Sequence, residues 1–320
     1  MDLSTDIAGL NINPAIMNAS GIFSFPSVLE KISRFKIGAL VTKSICLNER
    51  EGNENPVFVQ CSDESWINAV GLPGPGSKLK KEELKEIHPH LKSINKPLIT
   101  SIFESSKEKI ANVANILEDT CDAFELNFSC PNLMPGEKTG IMIGRDPSLV
   151  ESYTRAVRSI TKKPIIVKLS PGPYLDDQEK IKAIAISAVN SGASAISAIN
   201  TIPSGMKIDI HAKKPVLAAK YGGLSGRAIK PIGIGCVYTI YKAIPNEVPI
   251  IGIGGIATAN DIIEYVEAGA SAVAIGTAFV NKSLSDIENY LSDLVTNLEE
   301  ILAELGVDKL QELRGIAHES

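Results

Sequence analysis

Eight short, almost wholly apolar runs recur along the chain, separated by stretches long enough for a helix. This alternation constrains the fold more than any other feature. The runs are PAIMNAS (14–20), IGALVTKSI (37–45), PLITSIF (97–103), AFELNFSC (123–130), PIIVKLS (164–170), ASAISAIN (193–200), VPIIGIGGI (248–256) and AVAIGTAF (272–279). Continuous apolarity, rather than strict alternation, is what parallel strands covered on both faces require. Helical patterns stand between them, among them KEKIANVANILED (107–119), SLVESYTRAVRSIT (148–161), QEKIKAIAISAVNSG (178–192) and ANDIIEYVEAGA (259–270). The repeat predicts an α/β protein, a (β/α)8 TIM barrel. A doubly wound open sheet is the alternative, but no G-x-G-x-x-G follows the first run as a dinucleotide fold would need.

Two connections are too long to be simple turns, at about 46–96 and 201–247, and are expected to cover the mouth of the barrel. With no linker or low-complexity run between them, residues 1–320 read as one domain. The net charge is −5 and no dense Lys/Arg block occurs, which argues against nucleic acid or an anionic membrane as partner. The five cysteines are scattered and never spaced C-x-x-C, so this chain alone is not expected to build a zinc or iron–sulfur centre, and a reduced cytoplasmic setting fits best. The start, MDLSTDIAGL, lacks the basic region of a signal peptide, and no apolar run is long enough to predict a transmembrane helix.

In a barrel the C-terminal ends of the strands carry the chemistry, and here those ends are polar. Lys43 and Lys168 stand in otherwise apolar runs. Each is either an edge lysine reaching for solvent, a cation awaiting an anionic ligand, or a Schiff-base amine. Gly254 and Gly255 end the seventh run, ahead of a polar helix start at Thr258–Asn260, and Gly276 and Thr277 end the eighth. Glycine turns and a helix start at those two strands suit a phosphate. Asn68, Asn127, Asn132 and Asn200 are each explicable as turn residues. Together they would suit a ring with alternating N–H and C=O edges, such as a pyrimidine. Cys46, Cys121 and Cys236 read as small buried hydrophobes. Cys130 differs: it follows a strand end and precedes Pro131, and a nearby Lys43 would favour its thiolate. None of the four histidines is placed to partner it, which disfavours a Cys–His hydrolase.

Taken in order, NASGIF (18–23), TKSI (42–45), NPVF (55–58), INAVGLPGPG (67–76), ELNFSCPN (125–132), VKLSP (167–171), INT (199–201), KPVLAAKYGGLSGRAIKPIG (214–233), IIGIGGI (250–256), AIGTAF (274–279) and RGIAH (314–318) span nearly the whole chain. A sequence carrying them resembles the class 1 dihydroorotate dehydrogenases, FMN-containing (β/α)8 enzymes of pyrimidine synthesis. The resemblance implies FMN across the mouth, held by Ala19, Ser20, Lys43, Ser44, Ser101, Asn127, Lys168, Ile199 and Gly226. Its phosphate would lie on Gly254, Gly255, Gly276 and Thr277, and Lys168 would face the flavin N1/C2 edge.

Dihydroorotate would be held by Lys43, by Asn68, Ala69, Val70, Gly71 and Leu72, and by Asn127, Asn132, Asn200 and Thr201. Cys130 falls on the family's catalytic base, which takes the C5 proton while hydride passes from C6 to flavin N5 to give orotate. Cysteine at that position, and a chain starting close to the barrel, fit class 1 rather than the membrane-associated class. The features lean to the NAD-linked branch, which implies a heterotetramer with a second subunit carrying FAD and an iron–sulfur cluster. The alternative is a fumarate-using homodimer. Arg227 stands where proline is common, Ser101 where asparagine is common, and the segment 133–147 is less glycine-rich than that branch leads one to expect. Outside the resemblance, a Schiff-base aldolase and a catalytically silent barrel remain as competing readings of the same fold.

Overall fold

The computed structural model describes residues 1–62, 64–128 and 140–319. Each of the eight apolar runs contains a parallel strand: β1 (Ile16–Asn18), β2 (Leu40–Val41), β3 (Leu98–Ile102), β4 (Ala123–Asn127), β5 (Ile165–Leu169), β6 (Ala195–Ala198), β7 (Ile250–Ile253) and β8 (Ala272–Ile275). They form one sheet in the order β1-β8-β7-β6-β5-β4-β3-β2, and a parallel bridge between Met17 and Ala39 brings β2 back to β1. Every residue of β3, β4 and β5 is buried, the pattern of strands with side chains in the barrel on one face and under helices on the other.

The seam between β1 and β2 is closed by a side chain. The Asn18 amide donates to the Val41 carbonyl at 2.7 Å and accepts from the Val41 N–H at 3.0 Å. On its other flank β2 is bonded to β3 through the N–H groups of Leu40 and Thr42. A carboxamide carries the same donor and acceptor as a peptide group, so Asn18 stands in for a residue of a ladder too short to complete itself.

Among the described residues, eight helices of seven residues or more surround the sheet: α1 (Pro26–Ile32), α2 (Ser77–Ser93), α3 (Lys107–Leu117), α4 (Pro147–Arg158), α5 (Gln178–Asn190), α6 (Lys230–Tyr241), α7 (Ala259–Glu267) and α8 (Leu284–Leu305). Helix α3 shows how the sequence makes them. The Ser106 hydroxyl caps it by accepting from the Lys109 N–H, and Ile110, Val113, Ala114 and Leu117 form its buried stripe. Burying a side chain such as Ile110 or Leu117 contributes about 1.5–3 kcal/mol. Helix α8 opens with a Ser283/Asp286 capping box and stops at Gly306 in the left-handed region.

The mouth is covered by a four-stranded sheet in which Phe58–Ser62 and Ser65–Asn68 from the first long connection join Ile202–Gly205 and Gly222–Gly226 from the second. Its central pair sets Gly223 opposite Asn68. The covering parts are shorter than the ranges 46–96 and 201–247, because α2 and α6 fall inside those ranges and are barrel helices. Helix α2 is polar over most of its surface, and α6 has no one-sided apolar period. Helix α2 buries only Ser77, Leu84, Ile87 and Leu91 of its seventeen residues, and α6, KPIGIGCVYTIY, is apolar nearly all round with two glycines.

Candidate active site

Between the barrel mouth and the covering sheet lies a cavity of about 590 Å³, within the usual range for a small-molecule site. Nearly all the residues named from the sequence border it. The barrel contributes Ala19, Ser20, Lys43, Ser44, Asn127, Lys168, Ile199, Asn200 and Thr201, together with Gly254, Gly255, Gly276 and Thr277, and the cover contributes Gly226. From the first connection come Asn68, Val70, Gly71 and Leu72. Two named residues do not reach it. Ser101 is fully buried and stands one hydrogen bond behind the wall, its Oγ 2.9 Å from that of Ser44. Ala69 packs with Ile67 and Leu217 in the small core of the cover. Cys130 and Asn132 lie outside the described residues.

The polar wall is tied together by short contacts. Asn200 Nδ2 lies 3.4 Å from Asn127 Oδ1, and Asn127 Nδ2 donates to Ser44 Oγ at 2.9 Å. Asn200 Oδ1 also accepts from the Thr201 N–H, and Asn68 Nδ2 donates to the Gly223 carbonyl, 3.3 Å away. Gly223 also lets Thr201 pack against the cover: a Cβ there would fall 2.0 Å from Thr201 Oγ1.

At the far end, the N–H groups of Gly254, Gly255, Gly276 and Thr277 donate to no carbonyl among the described residues. Gly255 has φ +68°, and a Cβ there would come within 2.8 Å of Lys230 Cβ and 2.9 Å of the Gly226 carbonyl. Free N–H donors on a backbone without side chains fit a phosphate. The start of α7, expected from sequence to share in this, does not. Asp261 Oδ2 already accepts from the Ala257 and Thr258 N–H groups at 2.9 and 2.8 Å, and Thr258 caps the helix. Thr258, Ala259 and Asn260 do not border the cavity. Burial pushes the Asp261 carboxyl up, but the Lys230 ammonium at 2.7 Å and these N–H groups outweigh it, leaving the group below the usual carboxylate range.

The two lysines differ. Lys43 is half-buried, and no carboxylate pairs with it among the described residues. Burial, and then the nearby Lys80 charge, hold its amine below the ordinary lysine value, opposed by Cys46. Lys168 is buried, donates to Ser20 Oγ at 2.9 Å, and lies 3.8 Å from Glu125 Oε1. Glu125 was missed in sequence because AFELN reads as one apolar strand. Its partner Lys168 stands on the neighbouring strand, where nothing in the lysine's own run marks it. Phe58, Phe279 and Lys282 border the cavity without having been singled out. Phe58 is held by stacking on Trp66, ring centres 4.7 Å apart.

No histidine borders the cavity. His88 pairs with Asp122 at 3.1 Å, and His318 stacks on Tyr238. Cys46, Cys121 and Cys236 are buried as expected, and burial pushes the Cys121 thiol up to about 12 and that of Cys236 well above its ordinary value. Among the described residues no group of three or more His, Cys, Asp and Glu could hold a metal ion, and no helix is long and apolar enough to cross a membrane.

A family model described as Dihydroorotate dehydrogenase matches residues 2–298. The chain is 39% identical over 319 residues to the dihydroorotate dehydrogenase B (NAD(+)), catalytic subunit, of Methanocaldococcus jannaschii, covering 99% of this chain and 98% of that one. The corresponding subunit of Pyrococcus furiosus is 37% identical, with 99% of each chain covered. A putative dihydroorotate dehydrogenase A (fumarate) of Aquifex aeolicus is 38% identical, again over 99% of each. With a family model over most of its length and relatives aligned nearly end to end, the chain belongs to the dihydroorotate dehydrogenase family of oxidoreductases.

Proposed function

We propose that this chain is the FMN-bearing catalytic subunit of an NAD-linked dihydroorotate dehydrogenase, with Cys130 as the base. The activity itself, dihydroorotate dehydrogenase in pyrimidine biosynthesis, follows from the family. The observation that carries the finer reading is the cavity, which has a cradle of unpaired N–H groups at one end and lysines and asparagines at the other. FMN, when bound, supplies the two-electron hydride acceptor.

The residues then divide the work. Gly254, Gly255, Gly276 and Thr277 would hold the phosphate. Ala19, Ser20, Ser44, Ile199 and Gly226 would enclose the ring system, with Ser101 fixing Ser44 from behind. Lys168 would set a positive charge where electron density accumulates. Lys43 would face the carboxylate of dihydroorotate. The amides of Asn68, Asn127, Asn132 and Asn200 would pair with the ring edges, Val70, Gly71, Leu72 and Thr201 would shape the remaining wall, and Ala69 would support that wall from the core of the cover. Cys130 would take the C5 proton, a task that needs reach and a matched pKa rather than a protein nucleophile.

The NAD-linked assignment draws on the relatives named NAD(+) catalytic subunits. It calls for a cytoplasmic complex with a partner carrying FAD and an iron–sulfur cluster, on a homodimer of this chain. The Aquifex aeolicus relative favours a second reading, fumarate as acceptor. The protein purified from its source is expected to be yellow and to be bleached anaerobically by dihydroorotate. Turnover with NAD, fumarate and a quinone, compared side by side, identifies the acceptor. A colourless protein that cannot be reconstituted with FMN refutes the proposal, and turnover with fumarate but not NAD refutes the NAD-linked part.

A further inference from the structure

Beneath the cavity floor the barrel interior holds a carboxylate that the reaction has not used. Glu125 stands on β4 two residues before Asn127, one layer deeper than the residues that border the cavity, and is 3% exposed. Its Oε2 accepts from Ser197 Oγ on β6 at 3.3 Å. Its Oε1 has no hydrogen-bond partner among the described residues and lies 3.8 Å from Lys168 Nζ. Lys168, also 3% exposed, donates to Ser20 Oγ at the end of β1. Lys168 and Ser20 border the cavity, and Glu125 does not.

A buried ion pair with an incompletely satisfied oxygen is a poor way to stabilise a core, since apolar residues of similar volume commonly do as well or better. The register partners of Glu125 on the flanking strands, Ser101 on β3 and Ile166 on β5, are both buried and uncharged. A carboxylate kept among them needs a different reason.

We propose that Glu125 is a positioning residue for the reaction: its carboxylate is the counter-charge that holds the Lys168 ammonium aimed at the cavity floor. The cation is then already in place when the bound cofactor gains electrons. The inference rests on the reading of Lys168 as the group facing FMN. Around Lys168, β4 contributes the Glu125 carboxylate, β6 contributes the neutral Ser197, and the end of β1 contributes the neutral Ser20. Among the described residues the only other charged groups bordering the cavity are Lys43 and Lys282, both cationic. No second carboxylate among them can replace Glu125.

The test is the midpoint potential of the FMN-loaded protein measured against pH without substrate, which makes it independent of Cys130. In Glu125→Gln the amine is buried without its counter-charge and sheds its proton as the medium becomes alkaline. Reduction then draws that proton back, so the potential falls more steeply with pH than in the unaltered protein, by about one extra proton per two electrons. Glu125→Asp, which keeps the charge, retains the unaltered slope. Glu125→Gln combined with Lys168→Met loses the extra slope, because no amine is left to titrate. Equal slopes in Glu125→Gln and the unaltered protein overturn the inference. A Lys168→Met protein with an unchanged potential overturns the reading of Lys168 instead. Should Glu125→Gln fail to fold while the double variant folds, the two residues are identified as a charge pair. Failure of both assigns Glu125 to folding alone and overturns the proposal.

Discussion

Replacing Asn18 with alanine should unlock the barrel at one seam, and the structure sets the size of the effect. The substitution removes the acceptor of the Val41 N–H at 3.0 Å and the donor to the Val41 carbonyl at 2.7 Å. Val41 is 2% exposed, and the neighbouring strand bonds to Leu40 and Thr42 instead, so neither group finds water or another strand. A buried backbone group left unsatisfied costs about 1–3 kcal/mol, so two together cost about 2–6 kcal/mol. That is a large share of the roughly 5–15 kcal/mol that holds a typical domain folded. Asn18→Asp should cost no less, since it keeps the acceptor for the N–H but sets a buried carboxylate against the carbonyl. Urea unfolding reads the loss as a lowered midpoint at constant slope, and hydrogen exchange should locate it at Val41. A shift below about 0.5 kcal/mol for both variants, within the range of an ordinary surface change, would refute the view that the seam depends on this amide.

Cys130→Ala should leave FMN bound but slow its reduction by dihydroorotate about 10²–10⁴-fold, read by anaerobic stopped flow; fast reduction would remove Cys130 from the mechanism. Gly255→Ala forces a side chain against Lys230 and the Gly226 carbonyl at a positive φ. It should therefore release FMN on gel filtration even where the fold survives. Lys43 loses its charge earlier than an ordinary lysine as pH rises, through burial and the Lys80 charge. Orotate binding should accordingly weaken on the alkaline side, and Lys80→Ala should move that weakening to higher pH, followed by titrating the flavin spectrum. The depressed Asp261 carboxyl contributes stability above the ordinary carboxylate value and loses it as pH falls through its lowered one. Asp261→Asn should flatten the acid limb of a melting-temperature profile below about pH 4.

What could be read from the chain depended on whether a residue's role is local. The eight strands were legible because burial on both faces forces an unbroken apolar run, and runs such as PIIVKLS have no other explanation. Most of the mouth was legible because barrels place function at strand ends, so Lys43, Asn127, Gly254 and Thr277 were marked by position alone. Glu125 and Asn18 were not, since what matters about each is a partner on another strand, and no spacing in the sequence encodes that. The start of α7 misled for a related reason. Its Thr-Ala-Asn-Asp run looks open to an anion until Asp261 is seen folded back onto its own N–H groups. Helix α6 was absorbed into a loop because a helix apolar on all sides offers no period to detect.

The covering sheet also imposes a timetable. Asn68 and Gly223, which meet at its centre, are 155 residues apart. At ribosomal speeds of about 5–20 residues per second, the strand Ser65–Asn68 waits roughly 8–30 s for its neighbour to be made. The roof of the cavity therefore closes late, after most of the barrel strands beneath it have been synthesised. The strands that carry Gly254, Gly255, Gly276 and Thr277 are made later still, so the cradle proposed for the FMN phosphate is completed only after its roof has been synthesised.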